Sequence, residues 1–263
     1  MLPSLFIAHG SPMVAIEDTA YAQFLDHLGR ALPRPRAIAV FSAHWTAAEQ
    51  WVSAAGQHQA MHDFAGFPAI LYQVRYAPAG DPALAEDIVG RLASAGVEAS
   101  LDYDRKLDHG VWTILHRLYP DADVPVVALS VNPSLAPSQQ YAVGRALSTL
   151  RESVLIVGSG VTVHNFDLLA TPNDPDVTQR VLDFESWLTE HLERWDLRAL
   201  EDYERRAPNA TMAVPPHRRE HLVPLFYAMG ASDDDRRAHR LYGDLLWNVM
   251  TNSVYQFGGD GVA

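Results

Sequence analysis

The sequence predicts an α/β fold: one domain over residues 1–263, a layered sandwich with a central mixed sheet flanked by helices. Three observations carry that expectation. Short apolar runs, each the length of one buried strand, recur between segments with helical spacing. No internal repeat with a period of about 20–50 residues and no low-complexity linker divides the chain. With 48% apolar and 20% charged residues, 263 residues are enough to bury a substantial core.

The elements follow in order. "SLFIAH" (4–9) reads as a buried strand, and "YAQFLDHLGRAL" (21–32), stopped by Pro33, as a helix. "AIAVFSAH" (37–44) is the second strand. "DPALAEDIVGRLASAG" (81–96) carries its own punctuation: Asp81 as N-cap, Pro82 at the first helical position, and Gly96 closing the C-terminus. "GVWTILHRLY" (110–119) is a helix running into Pro120, and "VPVVALSV" (124–131) a strand. A helix at 138–150 precedes the strand "SVLIVGSG" (153–160). Further helices are expected at 178–194 and near 217–229, surface loops at 171–179 and 232–237, and an edge strand at 248–258.

Composition excludes several functions. Twenty basic against 32 acidic residues leave a formal charge of −12, so no basic field exists to neutralise nucleic acid or an anionic membrane. No cysteine is present, which removes disulfides, zinc–thiolate sites, iron–sulfur clusters and thiol nucleophiles. A metal would have to use His, Asp or Glu, a donor set suited to zinc or non-haem iron. The apolar run at the N-terminus is too short for a signal peptide or a membrane span, and the expected location is cytoplasmic.

The twelve histidines are informative through their placement. His9 follows the first strand, His44 the second, and His164 lies just past "LIVGSG". Ligands of open α/β sheets bind beyond the carboxyl ends of the strands. If these three strands are parallel, three imidazoles converge on one crevice. A single strand-end histidine is ordinarily a hydrogen-bonded loop residue; three beside Gly, Ser or Thr point instead to a metal or catalytic cluster. His109, in "LDHGVW", sits at a loop-to-helix junction. His27, His116 and His191 fall in helical stretches and His58 and His239 among polar residues, so these read as surface or core fillers.

Other motifs are weaker. "GSGVTVHN" lacks the G-x-G-x-x-G spacing, and "HGSPM" is not a nucleophile elbow, which makes Ser11 a poor nucleophile. "MHDFAGFPAILY" (61–72), aromatic and broken by glycine, reads either as a pocket wall or as a loop packed on the core. His217-Arg218-Arg219-Glu220-His221 matches the H-x-x-E-H of inverted zincins. A peptidase would need a further acidic ligand on a helix well downstream, and the 42 residues after His221, which hold Asp but no Glu, leave no room for one. It would also leave the strand-end histidines without a role.

"HGSP", "SAHW", "HDFAGFP", "LDHGVW", "YPDADVPVVALS", "GSGVTVHN" and "EHLVPLFYAMGA" occur in that order. Together they resemble the DOPA-dioxygenase-like branch of the class III extradiol ring-cleaving dioxygenases, the LigB-type superfamily. The resemblance runs from residue 5 to about 257. It implies an α/β sandwich with one mononuclear non-haem metal held by His9, His44 and His221, and His164 at or next to the coordination sphere. His109 would be an acid/base or substrate-orienting group, with His164 the other candidate for that role. The implied partners are a small catechol such as DOPA or caffeate, and O2; the implied metal is Fe(II), with Zn(II) possible in the same site. Two features depart from expectation. The usual iron triad has a carboxylate, which leaves Glu220 as an alternative to His221, and "AVPPHRREH" is about two residues longer than the branch pattern, so His217 has no counterpart. A zinc-dependent hydrolase on the same scaffold, or a non-catalytic metal-binding module, would use the same histidines without consuming oxygen.

Overall fold

The computed structural model describes residues 1–261. Its strands are β1 (Ser4–Ala8), β2 (Ala37–Thr46), β3 (Gln50–Ser53), β4 (Ala99–Asp102), β5 (Val126–Val131), β6 (Val154–Gly160), β7 (Ala238–Leu246) and β8 (Met250–Phe257). They form one mixed sheet in the order β4-β3-β5-β2-β6-β1-β8-β7. The four central strands β5, β2, β6 and β1 are mutually parallel, so the carboxyl ends of β2, β6 and β1 share one edge. β8 and β7 continue the sheet antiparallel.

Nine helices cover the sheet among the described residues: α1 (Ala20–Ala31), α2 (Pro82–Ser94), α3 (His109–Leu118), α4 (Pro137–Ala146), α5 (Pro175–Glu193), α6 (Leu197–Glu201), α7 (Tyr203–Arg206), α8 (Ala210–Ala213) and α9 (Val223–Ala231). The alternation along β2 shows why layers form on both faces. Ile38 and Val40 pack with Leu25 of α1 and Trp112 and Leu115 of α3. Ala37, Ala39 and Phe41 point the other way, into a core shared with Ile88 of α2, Val143 of α4 and Tyr227 of α9. Strands apolar on both faces read as continuous hydrophobic runs, which is how they were visible in the sequence. The caps of α2 form as the sequence predicts: the Asp81 side chain accepts from the Leu84 N–H at 2.9 Å, and Gly96 takes a left-handed φ of 76°.

Four expectations are corrected. The segment expected as an edge strand is interior: β8 lies between β1 and β7 and is buried at all eight positions. The edge belongs to β7, whose half-exposed sequence with Arg240, Gly243 and Asp244 lacks a clean apolar alternation. The helix expected near 217 begins only at Val223, because Pro224 belongs in a first turn, where no N–H is needed. The helix at 138–150 ends at Ala146 and gives way to a 3₁₀ turn over Ser148–Glu152, while the loop at 171–179 ends early where Asp174 caps α5. β3 and β4, four residues each, were too short to announce themselves. Among the described residues no helix is long and apolar enough to cross a membrane.

Candidate active site

The sheet delivers the histidines to one place. His9 leaves β1 and its N–H donates to the Gly160 carbonyl at 3.1 Å, while Gly10 turns the chain with φ 57°. His44 lies within β2, in the stretch where the register against β5 slips between Phe41 and Thr46. His164 follows β6. His221 precedes α9 and is drawn against β6 by the Val161 N–H, which donates to the His221 carbonyl at 2.8 Å. A Cβ on Gly160 would collide with that carbonyl oxygen, which explains the glycine at the end of "GSG". His109 is the first residue of α3.

The rings are packed together. The Nε2 atoms of His9 and His44 are 3.1 Å apart, and the His164 ring stacks on His221 at 3.5 Å with a 10° interplanar angle. His109 lies 4.0 Å from His44 and 5.6 Å from His9 between centroids. Three overlapping groups have donor atoms within 4.8 Å of one another: His9/His44/His221, His44/Asp63/His109 and His164/Glu220/His221.

Hydrogen bonds assign several tautomers. The Ser159 hydroxyl donates to the Gly110 carbonyl at 2.5 Å, so it must accept from His9 Nδ1–H at 3.1 Å. His9 therefore turns the lone pair of Nε2 toward the cluster. Glu220 Oε1 takes the Nδ1–H of His221 at 3.0 Å, leaving His221 Nε2 as an acceptor that is buried and has no partner. The Nδ1 of His164 is likewise buried and unpartnered. Asp63 Oδ1 accepts from both the N–H and the Nδ1–H of His109, at 2.9 and 3.0 Å, which frees His109 Nε2.

Burial and mutual repulsion keep four of these rings, His9, His44, His164 and His221, neutral. Burial first, and then the neighbouring imidazoles, hold His9 and His221 well below the ordinary histidine range. Burial and the adjacent His109 push His44 down to about 3, and burial and His221 push His164 down to about 2. Neutral imidazole is the metal-binding form. The Asp63 carboxyl sits at about 2, burial raising it but the hydrogen bond and charge of His109 prevailing.

A cavity of about 450 Å³ opens over these rings. Phe64, Phe67, Phe166, Trp247 and Met250 supply apolar walls, and Ser11, His217, Arg218 and Glu220 add polar groups to the lining beside the clustered histidines. The aromatic loop at 61–72 thus contributes a pocket wall through Phe64 and Phe67. All five histidines singled out from the sequence, His9, His44, His109, His164 and His221, line this cavity. His27, His58, His116, His191 and His239 do not; His58, for instance, is buried against the Val126 carbonyl at 2.9 Å. Residues 217–221 lie outside any helix, with turns only at 216–217 and 220–222, so His217 and His221 are not stacked on one helix as an inverted zincin requires. Sequence reading passed over Asp63 and Ser159. Asp63 stood inside a quoted motif, but nothing in its spacing revealed a partner 46 residues away.

Neutral imidazoles gathered at the carboxyl edge of a parallel sheet, under an aromatic cavity, define an α/β protein with a candidate metal centre for a flat organic substrate. The family model described as the catalytic LigB subunit of aromatic ring-opening dioxygenase matches residues 3–255, and the chain belongs to that family. It is an aromatic ring-opening dioxygenase of the extradiol type. A 4,5-DOPA dioxygenase extradiol of Beta vulgaris is 37% identical over 260 residues, covering 97% of this chain and 96% of its own. The Escherichia coli K12 protein of the same description is 37% identical over 88% of this chain and 86% of its own. A crystal structure of an uncharacterized protein from E. coli K12 superposes with a TM-score of 0.79 at 30% identity, over 98% of this chain and all of that one. The family implies a non-haem metal site, a small-molecule substrate and O2. Nothing among these relatives supports the hydrolase alternative.

Proposed function

We propose that the chain opens a catechol ring with O2 at one ferrous ion held by His9, His44 and His221, with His164 beside it. One observation carries the ligand assignment: His221 Nε2 is a buried lone-pair acceptor without a partner, grouped with the nitrogens of His9 and His44. An orphaned buried acceptor of this kind is costly unless something binds it. The donor set of three neutral imidazoles suits a divalent first-row metal, and Zn(II) would fit it as well as Fe(II). Fe(II) is our assignment because the family's reaction requires a redox-active ion. Bound ferrous iron supplies the one-electron exchange that lifts the spin restriction on direct reaction between O2 and a catechol.

The group His44/Asp63/His109 contains the two histidines and one carboxylate usual for non-haem iron. We set it aside because the Oδ1 of Asp63 already takes two N–H bonds from His109. Asp63 instead orients His109, whose free Nε2 is our candidate base for a catechol hydroxyl proton and later the acid that returns it. Neutral His164, stacked on His221, is the second candidate, at its unpartnered Nδ1. Ser159 and Glu220 fix the orientations of His9 and His221. The aromatic walls pack on the ring and keep water from the reacting atoms. The relatives' names make DOPA the reference substrate, and caffeate carries the same catechol.

The test is O2 uptake by metal-free protein reloaded anaerobically with Fe(II), then exposed to air and a panel including L-DOPA and caffeate. One O2 consumed per new semialdehyde chromophore is the expected result. Absence of uptake with every catechol, in protein that binds Zn(II) tightly, would overturn the reading.

A further inference from the structure

We propose that Arg218 reads an anionic group on the catechol's side chain, so that carboxylate-bearing catechols are selected over neutral ones. The inference deepens the reading above and rests on it. Of the two neighbouring arginines, Arg219 is occupied, with its Nη2 2.8 Å from Glu204 Oε1. The Arg218 guanidinium has no hydrogen-bond or ion-pair partner among the described residues, although it is partly buried in the cavity lining. It is also the one fixed positive charge among the described lining residues. The lining carboxylate, Glu220, has Oε1 engaged by His221 Nδ1–H. A chain of net charge −12 repels anions at long range, so an anionic substrate needs a local cation at the mouth of the cavity.

The surroundings favour that use. Arg218 shares the lining with Phe166 and Trp247, both about half exposed. Trp247 and Asn248 occupy the centre of the β7–β8 turn with φ of 54° and 63°, the left-handed region that non-glycine residues rarely enter. The hairpin tolerates that strain and holds an indole over the cavity. Apolar walls lower the local dielectric around the guanidinium, which strengthens a paired carboxylate. With the ring at the histidines, a short acidic side chain extends between these walls toward a planar fork that matches a carboxylate.

The test compares caffeate with its methyl ester, the same catechol without the charge, using Fe(II)-loaded wild-type, R218Q, R218K and R219Q proteins. R218Q is expected to lose about 10- to 100-fold in kcat/KM for the acid, chiefly through KM, and less than about twofold for the ester. R218K should recover part of the loss, and R219Q should match wild type in its acid-to-ester ratio. Anaerobic binding, followed by tryptophan quenching, should show the same split without turnover. Equal losses for acid and ester in R218Q, or the same selectivity change in R219Q, would overturn the assignment while ester cleavage still upholds the catechol reading. Cleavage of neither compound by the wild-type protein would remove that reading and this inference with it.

Discussion

Replacing Asp63 separates the role of His109 from the metal site. The Asp63 carboxylate accepts two N–H bonds from one residue, 2.9 Å to the backbone and 3.0 Å to Nδ1 of His109. Together they fix where the ring starts, which tautomer it holds and where Nε2 points. Each bond to a charged acceptor is worth about 1.5–3 kcal/mol. Asp63→Ala loses both, and the ring is then free to rotate and to exchange tautomers. Removing an aligned general base costs about 10²–10⁴ in rate. A mispositioned ring retains part of its function, so kcat should fall roughly 100-fold, or about 2.7 kcal/mol. Asp63→Asn keeps a neutral oxygen able to accept both bonds and should lose only about tenfold. The assay is steady-state O2 uptake with saturating catechol, alongside metal content by mass spectrometry. Metal should remain at wild-type stoichiometry and KM should change little. Loss of metal from D63A would refute the reasoning, because it would make Asp63 a ligand with His44 and His109; unchanged kcat would refute His109 as the base.

Three further outcomes are expected. His9→Ala, His44→Ala and His221→Ala should each abolish metal retention after dialysis, whereas His109→Ala should keep the metal and lose turnover; normal metal binding by H9A would remove the ligand assignment. Glu185→Ala should cost roughly 3–5 kcal/mol in urea unfolding, because buried Glu185 accepts from Thr162, Ser253 and Tyr255, and three buried hydroxyls would lose their acceptor; an unchanged midpoint would show that they re-pair locally. Acid should destabilise the chelator-treated protein. His44 and His164 titrate near 3 and 2 in the fold but near 6.5 when unfolded, so between those values the unfolded chain binds more protons. Stability is therefore full above about pH 6.5 and declines as pH falls below it, by at most about 1.4 kcal/mol per pH unit for each histidine. A urea midpoint independent of pH between 7.5 and 5 would contradict the buried, neutral cluster.

Much of the site was legible because its carriers are periodic. Continuous apolar runs mark strands buried on both faces, and His9, His44 and His164 stand at or beside the ends of three of them. Parallel pairing of β1, β6 and β2 then brings those ends together, a relation the runs implied without stating. β7 stayed hidden because an edge strand needs only one apolar face, and the placement of β8 inside the sheet depended on that missing neighbour. His221 was legible as a ligand of this cluster only through the family resemblance, since its H-x-x-E-H match pointed to a different site. Its position depends on a turn before Pro224 and on the space left by Gly160, neither of which has a local signature.

The sequence by itself determined the layered α/β class, the absence of thiol chemistry, the acidic surface and the set of histidines available to a metal, since each follows from composition or from periodicity along the chain. Only the tertiary structure decided which lone pairs face one another. The pairing of Asp63 with His109, of Ser159 with His9, and the choice between Arg218 and Arg219 depend on side chains meeting across 46, 150 and 15 residues of sequence respectively, the last being the distance from Glu204 to Arg219. Hydrogen-bond partners are set by the closing of the fold in three dimensions, and one-dimensional patterns do not encode the few tenths of an ångström on which they turn.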